Sequence, residues 1–351
     1  MLATRYPMIL GLGGLAVALC GCRRPAQESA ATSAPVEAVV VVYTALDRQF
    51  SEPILNDFAA QTGIQTQPVY DTESTKTVGL ANRIRAEAAR PRCDVFWNNE
   101  ILNTLRLKAE GLLQPCRATQ AEYFPPRYRD PDGYWYGFAA RARVLIVNTE
   151  LVGPDELPQS IRDLGLPKWR GRVGIAKPLF GTTASHVACL FAGLGPEKAR
   201  ELLDTWKQNN IQVVSGNKAC AEMVAAGRLA FALTDTDDAI AEQEQARPVR
   251  IVFPDSTEAG LGTLLLPNTL AVVKGAPHPQ AAVRLIDYLL SADVEARLAA
   301  GPSAQIPLHR DAPSRSRVCN LAEIKPMEVD FARAAEMFPT AAEYAEKQFL
   351  K

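Results

Sequence analysis

From residue 39 onward the chain alternates between two hydrophobic rhythms. Val39 to Val42 is an unbroken β-branched run, as expected of a strand apolar on both faces inside a covered parallel sheet. Ile54, Leu55, Phe58 and Ala59 then recur at helical spacing, with Ser51 as the expected N-cap, Pro53 in the first turn and Gly63 as the stop. A strand over 64–70, a helix over 74–89 with Leu80 and Ile84 inward, a strand over 94–97 and a helix over 100–110 closed by Gly111 follow. This is a β-α-β-α-β-α succession, the pattern of a doubly wound sheet.

The rhythm returns later. Strands are expected at 143–148, 172–176, 211–214, 229–233 and 249–253, with helices over 183–193, 197–209, 218–226 and 237–246 between them. Residues 264–274 form another extended segment, containing Pro267 and Asn268, and one long amphipathic helix is expected over 279–299. The pattern predicts an α/β protein of two doubly wound lobes joined by a two-stranded hinge. Lobe one is expected at 38–140 plus 263–310, lobe two at 141–262, and a C-terminal helical tail at 311–351. Two crossings would let the lobes close about a hinge; periodicity alone also allows one large sheet.

The start of the chain reads differently. Arg5 precedes a short apolar run, Met8 to Leu19, which leads into Leu19-Cys20-Gly21-Cys22. Residues 1–22 are therefore expected to be a secretory signal peptide, too short for a mature membrane span. The four closing residues look like a lipobox, with Cys22 as the acylated cysteine; an ordinary signal peptide is the alternative. Residues 23–37, rich in Ala, Ser, Pro and Gln, read as a flexible tether. The expected location is the periplasm or the cell surface, on a lipid anchor.

Roughly 310 residues remain to fold, enough for one large domain or two ordinary ones. The net charge is −1 with 22% charged residues, and no basic tract offers a nucleic-acid surface. Cysteines 93, 116, 189, 220 and 319 show no CxxC spacing, so neither a zinc knuckle nor a thioredoxin-type site is indicated. Pairs Cys93–Cys116 and Cys189–Cys220 or buried free thiols are equal readings. No GxSxG elbow, Walker A loop, GxGxxG after a strand or HExxH occurs, so no enzyme is expected.

Several segments together carry a family likeness. They are Val42-Tyr43-Thr44-Ala45, Thr62-Gly63-Ile64, Asn82-Arg83-Ile84-Arg85-Ala86-Glu87, Cys93-Asp94-Val95-Phe96-Trp97 and Trp135-Tyr136-Gly137-Phe138. Arg141-Ala142-Arg143-Val144, Pro267-Asn268-Thr269-Leu270-Ala271 and Lys274-Gly275-Ala276-Pro277-His278-Pro279 complete the set. In order and spacing this resembles the ferric-iron-type solute-binding proteins of ABC importers, a branch of the two-lobed type II periplasmic binding proteins. The resemblance implies a cleft that closes on a ligand, docking on a membrane permease and no chemistry on the ligand. It also implies no cofactor beyond Fe3+ as transported ligand. Iron-binding members commonly use paired tyrosines in lobe two, a histidine after the first strand and a carboxylate. This chain has Thr234-Asp235-Thr236-Asp237-Asp238 and Asp47 at those places.

In doubly wound lobes the ligand sits beyond the carboxyl ends of strands, near helix starts. That rule selects Thr44 and Asp47 after the first strand, Glu73 and Ser74 after the second, and Asn98 after the third. In lobe two it selects Thr182, Ser185, His186 and Asp235, with Arg141 reaching in from the crossing strand. If the ligand is iron, Asp47, Glu73 and Asp235 are the candidate metal ligands. The same residues also fit an amine, such as a polyamine, or an organic phosphate gripped by Arg141, Thr182 and Ser185. A monomer is expected, and a solute sensor serving a signalling partner would have the same fold.

Overall fold

The computed structural model describes residues 38–71, 78–313 and 315–350. The β-branched run becomes β1 (Val39–Thr44), followed by α1 (Arg48–Thr62), β2 (Gln65–Tyr70), α2 (Val78–Ala86), β3 (Val95–Asn98), α3 (Leu102–Ala109) and the short β4 (Leu113–Gln114). β1 is parallel to both β2 and β3. After a loop with short 3-10 turns comes β5 (Tyr136–Asn148), thirteen residues long and buried throughout. Then follow β6 (Val173–Ala176), α4 (Gly181–Leu194), α5 (Pro196–Gln208), β7 (Gln212–Val214), α6 (Asn217–Ala225), β8 (Phe231–Asp235), α7 (Thr236–Glu244) and β9 (Val249–Val252). β10 (Leu265–Val273), α8 (Pro279–Leu289), α9 (Ala292–Ala300) and α10 (Phe331–Phe349) complete the chain.

The strands among the described residues run in the order β2-β1-β3-β10-β5-β8-β6-β7. β5 serves two sheets in turn. Its first half, to Ala142, lies antiparallel to β10, and its second half, from Arg143, lies antiparallel to β8 and β9. Both faces of β5 are covered, which is why its sequence shows no polar alternation beyond its two arginines. Trp97 and Phe138 pack at this junction, ring centroids 5.6 Å apart and both out of solvent; each such side chain stabilises the fold by about 1.5–3 kcal/mol. α10 returns across the body to pack on α3, α4 and α5.

The junction is also a point of backbone strain. Ala139 in β5 adopts φ +41°, a left-handed value that a residue with a Cβ resists. The β5–β10 register shifts there, between Leu266 and Asn268. The peptide is clamped from both sides. Asn268 donates to the Ala139 carbonyl, while Glu295 Oε1 of α9 accepts the Ala139 N–H at 2.6 Å. Glu295 Oε2 accepts from Leu308 and His309 at 2.5 and 3.2 Å.

Three sequence expectations need correction. Ser51 does not cap α1; the helix starts at Arg48 after Asp47, and the Ser51 hydroxyl donates back to the carbonyls of Leu46 and Asp47. The single helix expected over 279–299 is two, because Ser291 caps α9 through the Val294 N–H and restarts the winding. The five described cysteines are all free thiols, so neither proposed pair exists; burial pushes the Cys116 thiol up to about 12.

Candidate functional site

The carboxyl ends of strands from both halves of the sheet converge on a cavity of about 60 Å³. Asp47 reaches it from the end of β1 and Asn99 from just beyond β3. Arg141 enters from β5, Gly181 and Thr182 from the start of α4, and Asn217 and Lys218 from the start of α6. Asp235, Asp237 and Asp238 descend from the end of β8 into the first turn of α7. An outer vestibule of about 480 Å³ shares Asp47, Lys218, Asp237 and Asp238 and adds Glu222, Glu242 and Arg247 at its rim.

Sheet pairing sets the innermost contacts. Arg143 on β5 and Asp235 on β8 are direct register partners. Asp235 Oδ1 accepts from Arg143 Nη1 at 2.6 Å. Its Oδ2 accepts from Thr182 Oγ1 at 2.6 Å, Asn217 Nδ2 at 3.0 Å and Arg141 Nη1 at 3.2 Å. Thr183 Oγ1 accepts from Arg143 Nη2 at 3.0 Å. Burial works against the Asp235 charge, but Arg143, Arg141 and the Thr182 hydroxyl hold its carboxyl below the usual value. Burial also works against the Arg141 charge, and Asp237, Asp235, Asp238 and Asp47 outweigh it, so its pKa is raised. Arg141 also donates to Asp237 at 3.3 Å and to the Asn99 carbonyl at 2.6 Å.

Of the residues selected from the sequence, Asp47, Arg141, Thr182 and Asp235 line this cavity. Thr44, Asn98, Ser185 and His186 do not. Thr44 Oγ1 accepts from the Leu46 N–H at 3.2 Å. The Asn98 amide donates to the Glu100 carbonyl and carboxylate at 2.6 and 2.8 Å. Ser185 donates to Glu100 Oε2 at 2.8 Å, tying α4 to the turn before α3. His186 is buried on α4; burial, with Arg143 nearby, lowers its pKa to about 3, which keeps the ring neutral. Glu73, Ser74 and Cys22 lie outside the described residues. The tyrosines at the start of β5 lie elsewhere: Tyr136 Oη donates to the Cys116 carbonyl at 2.5 Å, and Tyr134 lies under Lys108.

Asn99, Asn217, Lys218, Asp237 and Asp238 complete the lining. The strand-end rule applied after β7 would have selected Asn217 and Lys218, since α6 starts there. Asp237 and Asp238 follow Asp235 too closely for sequence to say which faces the ligand.

Chemically, the cavity offers oxygen. One carboxylate oxygen each from Asp235, Asp237 and Asp238 lie within 4.8 Å of one another. Among the described residues no phenol, imidazole or thiol lines the cavity. Four carboxylates face Arg141, Arg143 and Lys218, leaving a negative surplus. An acidic, oxygen-lined cavity suits a cationic ligand.

A protein-family model described as "Bacterial extracellular solute-binding protein" matches residues 103–333. Iron uptake protein A1 of Synechocystis sp. is 31% identical over 278 residues, covering 76% of this chain and 75% of that protein. Iron-bound HitA from Pseudomonas aeruginosa matches with a TM-score of 0.78 at 24% identity, covering 89% of this chain and 99% of the other. The periplasmic binding protein AfuA from Actinobacillus pleuropneumoniae, solved with fructose-6-phosphate, matches with a TM-score of 0.78 at 21% identity, covering 90% and 99%. The fold expected from the sequence, that of the type II periplasmic binding proteins, is the one observed.

Proposed function

The chain belongs to the bacterial extracellular solute-binding proteins, a family of binding rather than catalytic proteins, and from that premise we propose that it captures ferric iron and delivers it to the permease of an ABC importer. The observation that carries this reading is the acidic cavity itself. Asp237 and Asp238 at the start of α7 share this cavity with Asp47 and Asp235, and among the described residues these four carboxylates outnumber Arg141, Arg143 and Lys218 beside them. Ferric iron is a hard cation that accepts carboxylate oxygen in place of phenolate. The iron uptake protein at 31% identity supports the same ligand.

In this reading Asp235 is not the principal donor, because both of its oxygens already serve Arg143, Arg141, Thr182 and Asn217. Asp237, Asp238 and Asp47 supply the charge, and Glu73 is the further carboxylate candidate. Segments 38–140 plus 263–310 and 141–262 act as lobes that open about β5 and β10. Acylation of Cys22 holds the receptor at the membrane on the 23–37 tether, and it works as a monomer.

Lys218 and the starts of α4 and α6 favour a second ligand class, an organic phosphate or a phosphonate bearing an amine. The likeness to AfuA supports keeping it in view. Native mass spectrometry with elemental analysis decides. The chain from Arg23 onward, purified without added metal and then given ferric citrate, should hold one iron per chain. A bound organic mass with no iron uptake would overturn the iron reading in favour of the phosphorylated or amine solute.

A further inference from the structure

Asn99 combines a place on the cavity wall with an unsatisfied side-chain oxygen. It is 3% exposed and is one of the residues around the 60 Å³ space, beside Arg141 and Asp237. Its backbone carbonyl accepts from Arg141 Nη2 at 2.6 Å, which fixes the residue at the wall. Yet its side-chain Oδ1 has no hydrogen-bond partner among the described residues. The neighbouring Asn98 donates through its amide nitrogen to Glu100, and its own Oδ1, away from the cavity lining, is likewise without a partner among the described residues. A buried amide oxygen without a donor destabilises a fold unless something else satisfies it. The cavity has room for an ion and a few waters.

We propose that Asn99 Oδ1 is a neutral oxygen ligand to the bound cation, completing a set otherwise made of Asp47, Asp237 and Asp238. An amide oxygen adds a donor without adding charge. That suits hard cations, which take carbonyl and carboxylate oxygens together. The inference rests on the cation reading above and moves the ligand contact one residue on from the Asn98 chosen from the sequence.

An orphaned acceptor makes a prediction that a structural residue does not. Replacing Asn99 with an apolar isostere removes an unsatisfied buried group, so the ligand-free protein should gain stability while binding falls. The experiment titrates ferric nitrilotriacetate into the wild-type chain, Asn99→Leu and Asn99→Asp, and records the Tm of each without metal. Asn99→Leu should bind at least about tenfold more weakly, with a metal-free Tm equal to or above wild type. Asn99→Asp, which keeps an oxygen at the same place, should retain binding. Unchanged affinity in Asn99→Leu overturns the assignment while leaving the iron reading intact. A lowered metal-free Tm in Asn99→Leu overturns it by showing that the amide supports the fold. Wild-type protein that binds no ferric iron ends the cation reading, and this assignment with it.

Discussion

Arg143 and Asp235 face each other directly in the β5–β8 register, and their side chains meet at 2.6 Å with almost no access to solvent. The pairing places a charged contact where two strands would otherwise meet through apolar side chains. It also ties up Asp235, although that residue sits at the strand end where a ligand contact is expected.

Removing one member of this pair leaves the other charge buried. Arg143→Leu should therefore destabilise the fold by about 3–5 kcal/mol, read as a shift in the urea midpoint at constant slope. A change below about 1 kcal/mol, the scale of a surface pair, would mean that the cluster contributes little to stability.

Asp238 behaves differently. It is half-buried in the first turn of α7, shared by cavity and vestibule. Asp238→Asn should change stability by no more than about 1 kcal/mol, the size of a helix-dipole contribution, while ferric-iron affinity drops at least about tenfold. Asp47→Asn should do the same from the other side of the cavity. If both variants bind iron as wild type does, the carboxylate site is misplaced.

The donor set predicts the colour of the iron-loaded protein. Iron held by phenolate absorbs strongly in the visible through ligand-to-metal charge transfer. Here no tyrosine lines the cavity among the described residues, so the iron form should lack that band. Visible absorption after loading checks this directly, and an intense phenolate band would show that a tyrosine reaches the metal.

Glu295 links stability to pH. Burial raises its pKa from 4.5 to about 7, against the pull of the Ala139, His309 and Leu308 N–H groups. The folded state thus holds this proton more tightly than the unfolded chain. Its stabilising effect is complete below the unfolded value and fades as pH rises through the folded one. Between about pH 4.5 and about pH 7 this group should remove on the order of 3 kcal/mol. Glu295→Gln, which cannot ionise, should flatten that part of the profile relative to wild type. Parallel curves for the two proteins would show that the carboxyl does not titrate there.

Much of the architecture was legible because hydrophobic period reports burial. The β-branched run of β1, the stop at Gly63 and the apolar stripe of α8 each have one structural solution. The break between α8 and α9 was not visible, because the apolar stripe continues across it and only the Ser291 cap interrupts the winding. Asn98 and Asn99 show the same limit at the site. Asn98 is the last residue of β3, paired with Thr269, and its amide turns to Glu100. Asn99 lies one step beyond and lines the cavity. Adjacent residues at a strand end face different ways, and composition cannot say which faces the ligand.

By itself, then, the sequence determined the α/β class, most of the succession of strands and helices, and the cavity-side positions of Asp47, Arg141, Thr182 and Asp235, since all of these follow from local periodicity and strand-end position. Only the tertiary structure decided how those groups are engaged with one another. Arg143, Thr182 and Asn217 come from segments far apart in the chain, and their convergence on Asp235 consumes that carboxylate while leaving Asn99 Oδ1 unpartnered. Hydrogen-bond saturation depends on distances across the fold, and spacing along the chain carries no record of them.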